Sequence, residues 1–221
     1  RALYQSAPAI NSEAFKSWFG DSKVVDDDGK PLVVYHGTDQ DFEAFDTKPS
    51  NLKNYDTGVF FTDNTRTASI YGANADGGNV VPAYLSLQNP KVYDFKGTRW
   101  KAFGKKETFH IKNRKTKKTI QEFENRDDAF AALERDFPDW RNGQSAFVSP
   151  VRNSEGAQST DDLAREARAE GHDGAIFLNY LESLDFDETI TSYVAFEPEQ
   201  IKSVNNRGTF DPDDPRILYQ S

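Results

Sequence analysis

Two short apolar runs, each leading into a polar motif, constrain this chain most. Leu32-Val33-Val34-Tyr35 is strand-length and partly β-branched, and it stops at His36-Gly37-Thr38. A strand ending there brings an imidazole, a bare backbone and a hydroxyl together at a sheet edge. Gly37 lets a ligand approach main-chain N–H and C=O, and His36 and Thr38 offer hydrogen bonds of either polarity. The second run, Val59-Phe60-Phe61-Thr62, is entered through Gly58. It leads into a short helix from Asn64 to Tyr71, capped by Asp63 or Asn64. Phe60 and Tyr71 then flank one slot that fits a flat aromatic ligand. Taken singly, a His after an apolar strand is more often structural, and a Phe-Phe pair is more often core. The ordered combination is what points to a site.

The rest of the chain supplies a mixed frame. Ser12 starts a helix with Phe15, Trp18 and Phe19 on one face, stopped by Gly20. Asp27-Asp28-Gly29-Lys30 is a hairpin signal between Lys23–Asp26 and Leu32–Tyr35. Residues 39–52 form a polar loop holding Phe42 and Phe45, and Ala73–Asn79 is a Gly-rich, flexible stretch. Val80–Leu87 reads as a strand ended by Asn89-Pro90. Ser159 to Asp162 cap a helix through Glu170, stopped by Gly171. Asp173–Phe177 is then a buried strand, which makes His172 structural. After an acidic loop, Leu181–Ile190, come the last core strands, Tyr193–Phe196 and Ile201–Val204. An extended tail covers 207–221.

Lys96–Lys118 stands apart, with Glu107 the single acid among many lysines and arginines. Thr108–Ile111 and Thr119–Phe123 read as hairpin strands around the turn at Asn113–Lys118, and Asp127–Asp136 as an amphipathic helix ended before Pro138. Such a block is either a solvated surface or a contact for an anionic partner, Lys112, Arg114, Lys115, Lys117 and Lys118 being the candidate target-binding residues. The hexapeptides Arg1–Ser6 and Arg216–Ser221 are near-repeats, which points to a module cut from a longer chain with neighbouring modules.

Composition narrows the function. At 221 residues the chain is one domain, 1–221, or one domain with an elaboration. Charged residues make up 29%, there is no cysteine, and no apolar run approaches a membrane span. No signal-peptide pattern opens it, so a cytoplasmic location with no membrane partner is expected. His36, His110 and His172 are widely spaced, so no metal site is expected. The net charge of −9 argues against wholesale nucleic-acid binding.

The motifs resemble the ADP-ribosyltransferase fold of the diphtheria-toxin and poly(ADP-ribose) polymerase type. That family has a His-Gly-(Ser/Thr) on its first core strand, then Gly-x-aromatic-Phe-x-Asp, and a Tyr eleven residues after the aromatic, as between positions 60 and 71 here. Its late strand, Glu-Tyr-hydrophobic-hydrophobic-aromatic-acidic-x-x-Gln-hydrophobic, is similar to Ser192–Ile201. Phe15–Val25 and Asn206–Pro212 resemble the opening and closing signatures of the ADP-ribosyltransferase modules of phage and mobile-element polyvalent proteins. The resemblance implies an α+β fold: a split β-sandwich of two small, mostly antiparallel sheets with flanking helices. To this would be added an inserted basic hairpin-helix element at 96–150.

The resemblance further implies NAD as substrate, bound in a cleft between the sheets, and no metal. Gly37 would hold the nicotinamide amide through its backbone. His36 and Thr38 would bind the adenosine-side ribose. Phe60 and Tyr71 would sandwich the nicotinamide, with Phe61 beside them. The family's glutamate falls on Ser192, a hydroxyl without charge, and Glu188 is the carboxylate that could reach in from the preceding loop. The expected catalytic set is therefore His36, Tyr71, Ser192 and Glu188. The implied activity is mono-ADP-ribosylation of a macromolecular acceptor by a phage- or mobile-element-encoded effector in a bacterial host. That acceptor is a protein or a nucleic acid, and an anionic one would suit the basic block. Two alternatives stay open: a degenerate NAD-binding or interaction module, and an RNA-directed 2′-phosphotransferase-like enzyme.

Overall fold

The structure, a computed structural model, describes residues 9–39, 43–45, 57–72, 79–104, 108–143, 145–151, 157–182, 188–206, 208 and 210–217. The terminal hexapeptide Arg1–Ser6, most of its copy at the other end, the Gly-rich stretch at 73–78, Phe42 and the middle of the acidic loop lie outside them. The chain divides into two compact units: Arg1–Gly97 with Thr160–Ser221, and Thr98–Ser159.

The first unit carries a seven-stranded sheet. Its strands are β1 (Val34–Thr38), β2 (Val59–Thr62), β3 (Asn79–Leu85), β4 (Lys91–Asp94), β8 (Gly174–Tyr180), β9 (Ile190–Ala195) and β10 (Ile201–Ser203). They run in the order β10-β3-β1-β2-β9-β8-β4, every pairing antiparallel except the parallel β4–β8. The second unit carries a three-stranded antiparallel sheet of β5 (Thr108–Asn113), β6 (Thr119–Phe123) and β7 (Ala146–Val151), in the order β6-β5-β7. Its helix α3 (Arg126–Asp136) packs on that sheet and is capped by the Asn125 side chain. Three helices belong to the first unit: α1 (Glu13–Phe19), α2 (Thr65–Gly72) and α4 (Thr160–Ala169). The whole is a mixed α/β structure, with two sheets and four α-helices among the described residues.

Two expectations change in detail. The first strand does not end before His36-Gly37-Thr38 but runs through it, because β3 pairs with β1 along its whole length, from Val34↔Ala83 to Thr38↔Asn79. These residues are therefore paired with β3 on one side, while among the described residues β1 registers with β2 on the other only at Tyr35. The motif strands also share one sheet instead of two small ones. That sheet narrows sharply between β1 and β2, where the one registered pair among the described residues is Tyr35↔Thr62. Beyond this pair β1 follows β3 and β2 follows β9, so the two strands splay.

Alternation along the strands sets up two faces. One face buries Val34, Val59, Phe61, Tyr193, Ala195 and Ile176 in a continuous core with Phe45 and Ile217. The larger of these side chains each contribute about 1.5–3 kcal/mol on burial. The other face presents Phe60, Thr62, Ser192 and Phe177. Helix α2 lies over β1 there and α4 over β8.

The two terminal signatures meet each other. Ser12 caps α1 by accepting from the Phe15 amide at 3.1 Å, and Gly20 ends it at φ 53°. The buried face of α1 then receives Phe210, whose ring meets Phe15 edge-on at 5.2 Å. The tail around it is extended but pinned: buried Lys202 donates to the carbonyls of Asp214 and Arg216, and Ser203 N–H donates to Ile217 O at 3.0 Å. Ile217 N–H in turn donates to Glu43 O at 2.9 Å, which ties the described part of the 39–52 loop to the tail.

Candidate active site

His36 stands in the splay between β1 and β2. Its Nδ1 lies 2.8 Å from Phe60 O, a carbonyl that can only accept, so Nδ1 carries the proton. Burial lowers the His36 pKa, the Phe60 bond opposing this only in part, so the ring is neutral at pH 7 and Nε2 offers a lone pair. The ring packs edge-on to Phe45 at 5.0 Å and tilted on Phe61 at 5.4 Å. His36 thus groups with the Phe61 side of the sheet. Phe61 itself is 1% exposed and part of the core, which removes its ring from any slot shared with Phe60.

Gly37 has a second reason to be glycine. A Cβ there would lie 1.8 Å from Ala68 O and 2.8 Å from Gly72 N. The backbone of α2 rests directly on the strand. At Gly72 a Cβ would lie 2.9 Å from Asn79 O at the start of β3, so the end of α2 is also close-packed. This close crossing fixes the last turn of α2 and with it Tyr71.

Phe60 is half-buried and stacks on Phe177, centroids 6.1 Å apart and planes at 20°. Tyr71 is 54% exposed. Tyr71 is thus solvent-exposed and Phe60 partly so. The Tyr71 hydroxyl donates to Glu182 Oε1. Partial burial, and then the Glu182 carboxylate, push the Tyr71 pKa well above that of a free phenol, so it stays a donor.

Ser192 is 3% exposed. It pairs with Thr62 on β2 and with Phe177 on β8, and its Oγ lies 2.8 Å from the Tyr180 hydroxyl. Burial, and after it the charge of Glu182, raises the Tyr180 pKa as well. Tyr71, Glu182, Tyr180 and Ser192 thereby form one connected polar cluster beside Phe60. Glu188 is exposed just before β9.

His36 lies on the Phe61 side of the sheet, and of this polar cluster the sequence singles out Tyr71 and Ser192 but not Glu182 or Tyr180. The signal that could have found them is Asn179, a residue tolerant of left-handed backbone, placed near the end of a strand. On unit 2, Lys112 is partly buried, while Arg114, Lys115, Lys117 and Lys118 are exposed. Arg114 and Lys117 both lie over the Phe147 ring, at 5.4 and 5.1 Å. Among the described residues no cluster of His, Cys, Asp or Glu is suited to a metal ion, and no helix is long and apolar enough to cross a membrane.

A mixed sheet splayed beside a His-Gly-Thr strand, with Tyr71 on the helix that crosses that strand and Phe60 half-buried on β2, is compatible with the α+β architecture of the ADP-ribosyltransferases. The family model described as ADP-ribosyltransferase in polyvalent proteins matches residues 26–210, most of the chain, and the chain belongs to that family. No curated protein and no solved structure matches it.

Proposed function

We propose that this chain is a mono-ADP-ribosyltransferase, cleaving NAD at the nicotinamide ribose and passing ADP-ribose to a macromolecular acceptor. The observation that carries this reading is the open pair Phe60 and Tyr71, set beside a polar cluster in a chain of the ADP-ribosyltransferase family. Nicotinamide would lie between the two rings, where stacking favours the planar leaving group. Neutral His36 would accept from a ribose hydroxyl at Nε2, with Thr38 beside it. The bond from ribose C1′ to the nicotinamide nitrogen breaks with its electron pair leaving on nicotinamide, which departs neutral. The ribose becomes cation-like, so the protein's tasks are positioning and charge stabilisation.

The basic hairpin of β5 and β6, read as an insertion at 96–150, would recruit an anionic acceptor. In this reading the module acts in a bacterial host as part of a phage or mobile-element protein. Incubating the chain with NAD labelled in the adenosine moiety and bacterial lysate tests it. Label made acid-insoluble, and released by protease or by nuclease, is the expected result. No macromolecular label and no free nicotinamide would overturn it.

A second reading, a degenerate NAD-binding module, is favoured by one observation. Ser192, where the motif resemblance puts the family's glutamate, is buried and tied to Tyr180. NAD binding without nicotinamide release would select it.

A further inference from the structure

We propose that Glu182, delivered to the site by a β-bulge in β8, is the carboxylate that faces the reacting ribose. The proposal rests on the transferase reading above.

The bulge is visible in the register. Phe177 pairs with Ser192, but Tyr180 pairs with Ile190, so β8 spends three steps where β9 spends two. The extra residue sits at Leu178–Asn179, and Asn179 has φ 55°. It is held in place by a hydrogen bond from its side chain to Asp94 at 3.1 Å, while its carbonyl accepts from Gly97 N–H at 2.7 Å.

Strict alternation from Phe177 would send Tyr180 to the opposite face from Ser192. The inserted residue reverses that. Tyr180 now shares the face of Ser192, as their 2.8 Å contact shows, and Glu182, two residues on, reaches Tyr71. A carboxylate from the end of β8 thus enters the face where β9 offers only a buried hydroxyl. Ser192 has no freedom to take that role, being enclosed by Thr62, Phe177 and Tyr180.

Glu182 would accept a hydrogen bond from a hydroxyl of the nicotinamide ribose and set its negative charge against the cation that forms there. Tyr71 orients the carboxylate while its ring covers the nicotinamide. When water is the acceptor, its oxygen forms the new bond to C1′ and its proton is released to solvent, giving ADP-ribose, nicotinamide and one proton.

The experiment compares wild type, Glu182→Gln, Glu182→Ala and Tyr71→Phe by nicotinamide release and by calorimetric NAD binding. Glu182→Gln keeps an acceptor for Tyr71 and removes the charge. It should lower kcat roughly 10²- to 10³-fold with little change in NAD affinity. Tyr71→Phe keeps ring and charge and should lose far less. Added formate should restore part of the turnover of Glu182→Ala, a rescue that a merely structural role would not give. Wild-type turnover with Glu182→Gln equally fast, or Glu182→Ala inert to formate while Glu182→Gln stays active, overturns the assignment. Wild type that neither binds nor consumes NAD overturns the transferase reading instead.

Discussion

Among single residues, His36 couples the fold to pH. Its folded pKa is depressed, chiefly by burial. Between that depressed value and the ordinary value of about 6.5, the unfolded chain binds more protons than the folded one. Stability therefore rises with pH across this window, is fully present above the unfolded pKa, and is lost as pH falls through the folded pKa. Denaturant midpoints measured from pH 7.5 down to 5 should decline, and His36→Gln should decline less over the same range. An identical slope in the variant would show that folding does not depress the His36 pKa. Gly37 makes a sterner prediction. A methyl placed 1.8 Å from Ala68 O cannot be accommodated without moving α2 or β1. Gly37→Ala should cost about 1–3 kcal/mol, or somewhat more, by overpacking. It should also weaken NAD binding, because Tyr71 moves with the helix. An unchanged thermal midpoint in Gly37→Ala would contradict the close crossing of α2 over β1.

Among the helices and strands, what could be read from sequence and what could not divide along physical lines. Helix α1 was legible because its cap, Ser12, its buried face and its stop, Gly20, all lie within nine residues. The hairpin of β5 and β6 was legible because the turn between Asn113 and Lys118 carries its own hydrogen bonds, including Asn113 N–H to Lys118 O at 2.9 Å. The eleven-residue interval from Phe60 to Tyr71 placed one residue on a strand and the other on the helix that follows, since one strand end and one short helix fix it locally. The end of β1 was misjudged because its length is set by β3, more than 40 residues away in sequence. The bulge in β8 was only half legible: Asn179 tolerates a left-handed backbone, but that alone does not fix a register. A register shift belongs to a pair of strands, and nothing in Leu178-Asn179 alone reveals the partner. Glu182 therefore carries no signal of its own in the sequence, whereas Ser192 and Glu188 do. The tail was read as extended, which it is, but its anchoring by Lys202 and by Phe210 on α1 depends on distant partners.

Across the whole molecule, charge is divided between the two units. An acidic chain of net charge −9 keeps a basic hairpin in Thr98–Ser159, while the residues assigned to NAD all lie in the other unit. Acceptor recruitment and NAD chemistry should therefore separate on mutation. Changing Lys112, Arg114, Lys115 and Lys117 together to Glu should abolish labelling of the macromolecular acceptor and leave nicotinamide release from NAD alone unaffected. Equal acceptor labelling by that variant would reduce the hairpin to solvated surface. Under the proposed function, both activities require NAD to bind at Phe60 and Tyr71. Calorimetric titration of NAD into wild type and Tyr71→Ala tests that requirement without reference to any acceptor. Saturable binding to wild type is expected, with a loss of about 1 kcal/mol or more in Tyr71→Ala, the stacking contribution of one aromatic ring. Wild type without binding heat, or Tyr71→Ala binding NAD as tightly as wild type, would contradict it.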